Sequence, residues 1–207
     1  NFLHDNNNYL IQFFDQDINF KFQVGGKGES LNMFDLPVSG FADNDDLYIC
    51  DQNNDRIVNL NTIKRKCEIV IEDKFIKGSL RRPSGLSNDE KYIYIADRSN
   101  GVIQVFNKNL EFLDILTTNK SLNRPSSVSI INIENKKIAA IIERKEGSNS
   151  TLKFFNLSAS FEAKEISVKV DENISLNDPQ DMEAGSSSML YIADTLNRKI
   201  LKVGLDG

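Results

Sequence analysis

The chain has 207 residues, is 40% hydrophobic and 27% charged, and carries a formal net charge of −5. That composition belongs to an ordinary globular protein, and no stretch reaches the roughly 18 apolar residues of a membrane-spanning helix. The acidic balance runs against the basic surplus of most nucleic-acid binders.

The N-terminal residues Asn1-Phe2-Leu3-His4-Asp5 show neither an initiator Met nor a basic-then-apolar leader pattern. The expectation is therefore a processed chain or a piece of a longer polypeptide. Asp5, Asn8 and Ile11 then open a spacing, D-x-x-N-x-x-I, that returns along the chain. It reappears at Asp51, Asn54 and Ile57, at Asp97, Asn100 and Ile103, and at Asp194, Asn197 and Ile200. A second landmark runs in step with it. The four prolines, Pro37, Pro83, Pro125 and Pro179, lie 46, 42 and 54 residues apart. Each follows a large apolar residue by three positions: Phe34, Leu80, Leu122 and Leu176. Fixed recurrence at this length is the mark of a repeat architecture.

Between the landmarks the periodicity is two. Leu47-Tyr48-Ile49-Cys50, Tyr92-Ile93-Tyr94-Ile95-Ala96 and Leu190-Tyr191-Ile192-Ala193 are short β-branched and aromatic runs. A further run, such as Val102-Ile103-Gln104-Val105-Phe106, follows each Asn turn. These predict strands, and no segment has helical periodicity. Each repeat then holds four strands: A after the proline, B before the aspartate, C after the Asn turn, and D leading to the next proline. Asp and Asn bond nearby backbone and tolerate turn geometry, which suits a B–C turn. Proline has no N–H to give, which suits the start of a strand. The repeat opened by Pro125 departs: Glu143 stands for the aspartate, and Asn149 is followed by Leu152.

Four short antiparallel strands per repeat predict an all-β fold of propeller blades. The blades are expected at 31–73, 74–118 and 119–171, with partial blades at 1–30 and 172–207. Pro83-Ser84-Gly85-Leu86, Tyr94-Ile95-Ala96-Asp97-Arg98-Ser99-Asn100 and Ile192-Ala193-Asp194-Thr195-Leu196-Asn197 resemble the NHL-repeat family. The resemblance implies a single six-bladed propeller of which this chain supplies three full and two partial blades. A five-bladed ring closed through its termini is the alternative.

Candidate chemistry is sparse. His4 is the only histidine, and Cys50 and Cys67 lie on strands separated by a third. A zinc site needs three or four N/S ligands, so no metal or cofactor is expected. Strands two apart also put the thiols at about 9–10 Å, too far for a disulfide, and free thiols point to a reducing, intracellular compartment. The sequons at Asn119, Asn149, Asn156 and Asn173 arise by chance in so Asn-rich a chain. Asp43-Asn44-Asp45-Asp46 is the best oxygen cluster for calcium, and is read as a solvated turn. Lyases among NHL-like propellers use a His-bound metal, and lactonase-like hydrolases use acidic and Asn side chains around the channel. Neither set is found here, so the expectation is a binding scaffold and no enzyme.

In propellers of the resembled kind the D–A and B–C loops share the top face. Lys77, Arg81, Arg82, Lys120 and Arg124 fall in D–A loops, and Arg98, Arg144 and Lys145 in B–C loops. The A–B turns instead carry Asp43, Asp45, Asp46, Asp89 and Glu90. The basic sector reads either as solvated charged loops with Asp73, Asp97, Glu143 and Glu146 as partners, or as the candidate binding face, for a protein partner first and for single-stranded RNA as the alternative. RNA readers stack bases on aromatics, and Phe75 is the only clear aromatic in these loops.

Overall fold

A computed structural model describes residues 2–5, 7–71, 78–118, 121–133, 136–144, 150–168, 174–185 and 188–205. These residues form five sheets in two compact units, 1–84 and 85–207.

In the first unit, β1 (Phe2–Asp5), β2 (Leu10–Phe14) and β3 (Phe20–Gly25) make an antiparallel three-stranded blade. The second blade orders β4 (Pro37–Asp43), β5 (Asp46–Asp51), β6 (Arg56–Asn61) and β7 (Lys66–Ile71), with a 3₁₀ turn at Gln52–Asn54. Ile11 and Phe13 of the first blade bury against Leu47, Ile49, Val58 and Leu60 of the second. Cys50 and Cys67 are both buried, on β5 and β7, and are not joined in a disulfide.

In the second unit, β8 (Pro83–Asn88, its first two residues counted with unit one), β9 (Tyr92–Asp97), β10 (Val102–Asn107) and β11 (Phe112–Ile115) form the third blade. β12 (Thr117–Thr118) crosses to the fourth blade, where it pairs parallel with its last strand. That blade runs β13 (Pro125–Ile133), β14 (Lys136–Glu143), β15 (Thr151–Leu157) and β16 (Glu162–Ile166). The fifth holds β17 (Pro179–Ala184), β18 (Met189–Asp194) and β19 (Lys199–Gly204).

β14 shows why the sequence makes blades. Side chains alternate across a strand, and here both faces are covered. Ala139 and Ile141 join the core with the third blade, while Ile138, Ala140 and Ile142 join the core with the fifth. A strand buried on both sides reads as a continuous apolar run. The inner edges converge closely: a Cβ on Gly85 of β8 would lie 2.7 Å from the Ser127 Cα of β13. Only glycine fits that approach.

Every proline is the first residue of an A strand, where no ladder bond is lost. The residue before each proline is left-handed: Leu36 (φ 64), Arg82 (φ 54), Arg124 (φ 48) and Asp178 (φ 53). Such a conformation costs about 1–2 kcal/mol in an L-residue. The signature carboxylate holds it in place. Asp51 accepts the N–H of Asp35 at 2.6 Å, Glu143 that of Asn123 at 2.8 Å and Asp194 that of Asn177 at 2.7 Å. Each of these donors lies two residues before its proline. The other carboxylate oxygen takes the Asn of the turn: Asn8 to Asp5, Asn54 to Asp51, Asn100 to Asp97 and Asn197 to Asp194, all at 2.7–2.9 Å. Glu143 therefore performs the loop-holding half of the aspartate's task. The rebuilt turn at Asn149 lies outside the described residues. The repeat isoleucines Ile11, Ile57 and Ile103 are buried, but Ile200 is 68% exposed.

Candidate functional site

The arginine end. In unit one, Arg82 is exposed, and its backbone N–H donates to Asp55 at 2.7 Å. Arg81 beside it is also exposed. In unit two, Arg98 lies in the B–C loop of the third blade, with Arg124 and Arg144 flanking the fourth. The last two are brought together: the Arg144 N–H donates to the Arg124 carbonyl at 3.3 Å. Burial first, and then the Arg124 charge, lower the Arg144 pKa. Asp178 forms an ion pair with Arg144 and offsets part of that repulsion. Lys77, Lys120, Lys145 and Phe75 lie outside the described residues.

The carboxylates of the inner strands. Asp181 and Glu183 are two apart on β17 and so share a face. Ser127 of β13 donates its hydroxyl to Asp181 at 3.0 Å, and the Met182 N–H donates at 2.9 Å. Burial pushes the Asp181 carboxyl up to about 6. Glu183 is raised by burial and then by the Asp181 charge. A carboxyl poised near neutrality can give and take a proton. The alternation in Pro179-Gln180-Asp181-Met182-Glu183 was the available signal, and the sequence reading passed over it.

The acidic turns. Among the described residues no three His, Cys, Asp or Glu side chains group to hold a metal. Asp43 accepts from Asn44, and Asp46 from Asn61, as satisfied turn carboxylates do. His4 is held at a pKa of about 4 by burial, and its Nε2 is buried with no partner among the described residues.

The interblade cleft. Asp89, one of the acidic residues placed in the A–B turns, has a side chain only 8% exposed. It accepts the Lys91 and Tyr92 N–H groups at 2.8 Å, the Tyr94 hydroxyl at 2.9 Å and the Lys137 ammonium at 2.5 Å. Burial works against its charge, but Lys137 and the other donors hold its pKa below the ordinary value. These residues line a cleft of about 790 Å³ between the third and fourth blades, with Phe161, Ile130 and Asn132 opposite. Tyr92 meets Phe161 edge to face at 5.1 Å, and Lys137 lies 5.7 Å from the Tyr92 ring centre. Tyr48, Tyr92, Tyr94 and Tyr191 all lie on B strands. Of these Tyr92 and Tyr94 also line the cleft.

No family model matches the chain, and no curated protein matches it either. Solved structures do. Over the whole chain it is similar to the virginiamycin B lyase of Staphylococcus aureus, at 15% identity and a TM-score of 0.61, covering 66% of that chain. Over 95% of its length it is similar to a structural genomics protein of unknown function from Bacteroides thetaiotaomicron, at 14% identity and a TM-score of 0.65, covering 54% of that chain. A streptogramin B lyase structure matches at 11% identity and a TM-score of 0.54, with 100% of this chain and 79% of the other covered. The chain thus spans about half to four-fifths of the structures it matches. The shared fold is a β-propeller of antiparallel blades, as the repeat spacing predicts. The expectation that the chain is no enzyme is overturned: two of the matched structures are named lyases.

Proposed function

We propose that this chain is a binding propeller that docks an acidic protein segment at the loop end built by Arg98, Arg124 and Arg144. The observation that supports it is the approach of Arg124 and Arg144. Two like charges are held together there by a backbone bond, partly buried, with Asp178 as a counter-charge. Like charges gathered at one place raise the local potential and favour an anionic ligand. The turn chemistry supports reading the blades as NHL repeats. Charge reversal tests the site. Arg98→Glu combined with Arg124→Glu abolishes binding of a labelled oligoglutamate peptide if the reading holds, and leaves it unchanged if the arginines serve only their own loops.

A second reading, with a specific observation behind it, is acid–base chemistry at Asp181 and Glu183. The Asp181 carboxyl stands near 6, accepts the Ser127 hydroxyl and shares its strand face with a second carboxyl. The lyase names of two matched structures make this worth a test. Asp181→Asn removes a turnover found with any substrate and leaves oligoglutamate binding intact.

A further inference from the structure

We propose that the cleft between the third and fourth blades, at the end of the A–B turns, is a binding site for a neutral saccharide. Its volume of about 790 Å³ falls in the ~300–1,000 Å³ range of small-molecule pockets.

The lining chooses the ligand class. Its formal charges cancel: Asp89 and Glu90 stand against Lys91 and Lys137. The deepest charge is already spent, because Asp89 takes four donors and Lys137 is one of them. A charged ligand seated on Asp89 or Lys137 would have to break that pair in a partly buried place, which is costly. The Ser158 hydroxyl is engaged with Ser160 and the Glu162 N–H. Glu90 and Lys91, of opposite charge, are exposed; the uncharged polar groups of the lining without a hydrogen-bond partner among the described residues are the side-chain amides of Asn88 and Asn132 and the Tyr92 hydroxyl. An amide both donates and accepts, as a sugar hydroxyl does. An anion would ask only for donors.

The remaining wall is apolar and aromatic: Tyr92, Phe161, Ile130 and Leu157. The Tyr92 ring is fixed edge to face by Phe161 and by Tyr94, with centroids at 5.1 and 6.4 Å. Tyr94 in turn is fixed by its bond to Asp89. A ring locked in this way loses little side-chain entropy when a ligand packs on it. A saccharide ring offers a rim of hydroxyls for the two amides and a C–H face for the aromatic wall.

The test is saturation-transfer NMR on the full chain with a panel of neutral mono- and disaccharides, and with adenosine as a flat heterocyclic probe. The expected result is transfer to the C–H protons of at least one saccharide. Asn132→Ala and Asn88→Ala, which break no side-chain hydrogen bond among the described residues, then each weaken Kd by roughly tenfold, the upper end of the net worth of one hydrogen bond. Tyr92→Leu keeps the apolar bulk but removes the ring, and weakens binding likewise. The proposal is overturned if no saccharide shows transfer, if adenosine binds and the saccharides do not, or if the two Asn variants bind as the parent does.

Discussion

Asp51 and Asp194 occupy the same place in two repeats, and both side chains have 0% exposure. They should nevertheless differ in cost when truncated. Asp51 bonds the Nε of Arg56 at 2.7 Å, and Arg56 is itself 1% exposed. The guanidinium also donates to the carbonyls of Glu29 and Met33 at 2.6 and 2.9 Å, so it knits the loop before Pro37 to the turn after β5. Asp51→Ala leaves a buried cation unpaired, which costs about 3–5 kcal/mol. Asp194 has instead Lys199, 46% exposed and 4.0 Å away. With its lysine half exposed and at that distance, the pair contributes little, about 0–1 kcal/mol. Its loss mainly orphans the Asn177 N–H, at about 1–3 kcal/mol. Urea unfolding followed by circular dichroism should therefore rank Asp51→Ala about 2 kcal/mol below Asp194→Ala. Adding Arg56→Met to Asp51→Ala should recover part of the loss, since the stranded charge goes with it. Equal costs for the two alanine variants, or no recovery in the double variant, would refute the buried-charge argument.

Three further outcomes follow from the same geometry. Gly85→Ala should destabilise by about 1–3 kcal/mol in denaturant titrations, because a Cβ cannot sit 2.7 Å from a backbone carbon without moving a strand. The Asp181 carboxyl is raised to about 6 in the fold, so the native state holds more protons than the unfolded one between about pH 4 and 6. Stability from this group is full below that window and falls as pH rises through it. Asp181→Asn should flatten that limb in stability measured against pH. His4 acts with the opposite sign: its pKa falls from 6.5 to about 4, so its contribution is full above 6.5 and is lost as pH drops towards 4. His4→Gln should remove that acid-side loss.

The parts of the fold legible in the sequence are those set by local chemistry. A proline that starts a strand and an Asp that takes the Asn three residues on are visible at fixed spacing because each acts within one turn. The second bond of the same Asp was not visible, since it reaches a backbone N–H 16 or 17 residues back. For that reason Glu143 looked like a departure, although its oxygen does the same work from one carbon further out. The strain that this bond restrains was equally hidden, as nothing about Leu36 or Arg124 announces a positive φ. The cleft was missed for a related reason. Asp89 and Lys137 lie 48 residues apart, and meet only because neighbouring blades set their A–B ends side by side. Taken alone, Asp89 is a turn acid, and Tyr92 and Tyr94 are strand aromatics. Basic loop residues were easy to sort by strand order, but their ion pairs were not, as Arg144 with Asp178 shows.

The docking account is tested most directly by fluorescence anisotropy of the full chain with labelled oligoglutamate and with labelled single-stranded RNA, each across a salt series. The account predicts binding to the peptide that weakens as salt rises and is lost on Arg98→Glu/Arg124→Glu, with RNA bound more weakly at every salt concentration. Tighter binding to RNA with a steep salt slope, or no binding to either probe at low salt, would contradict it.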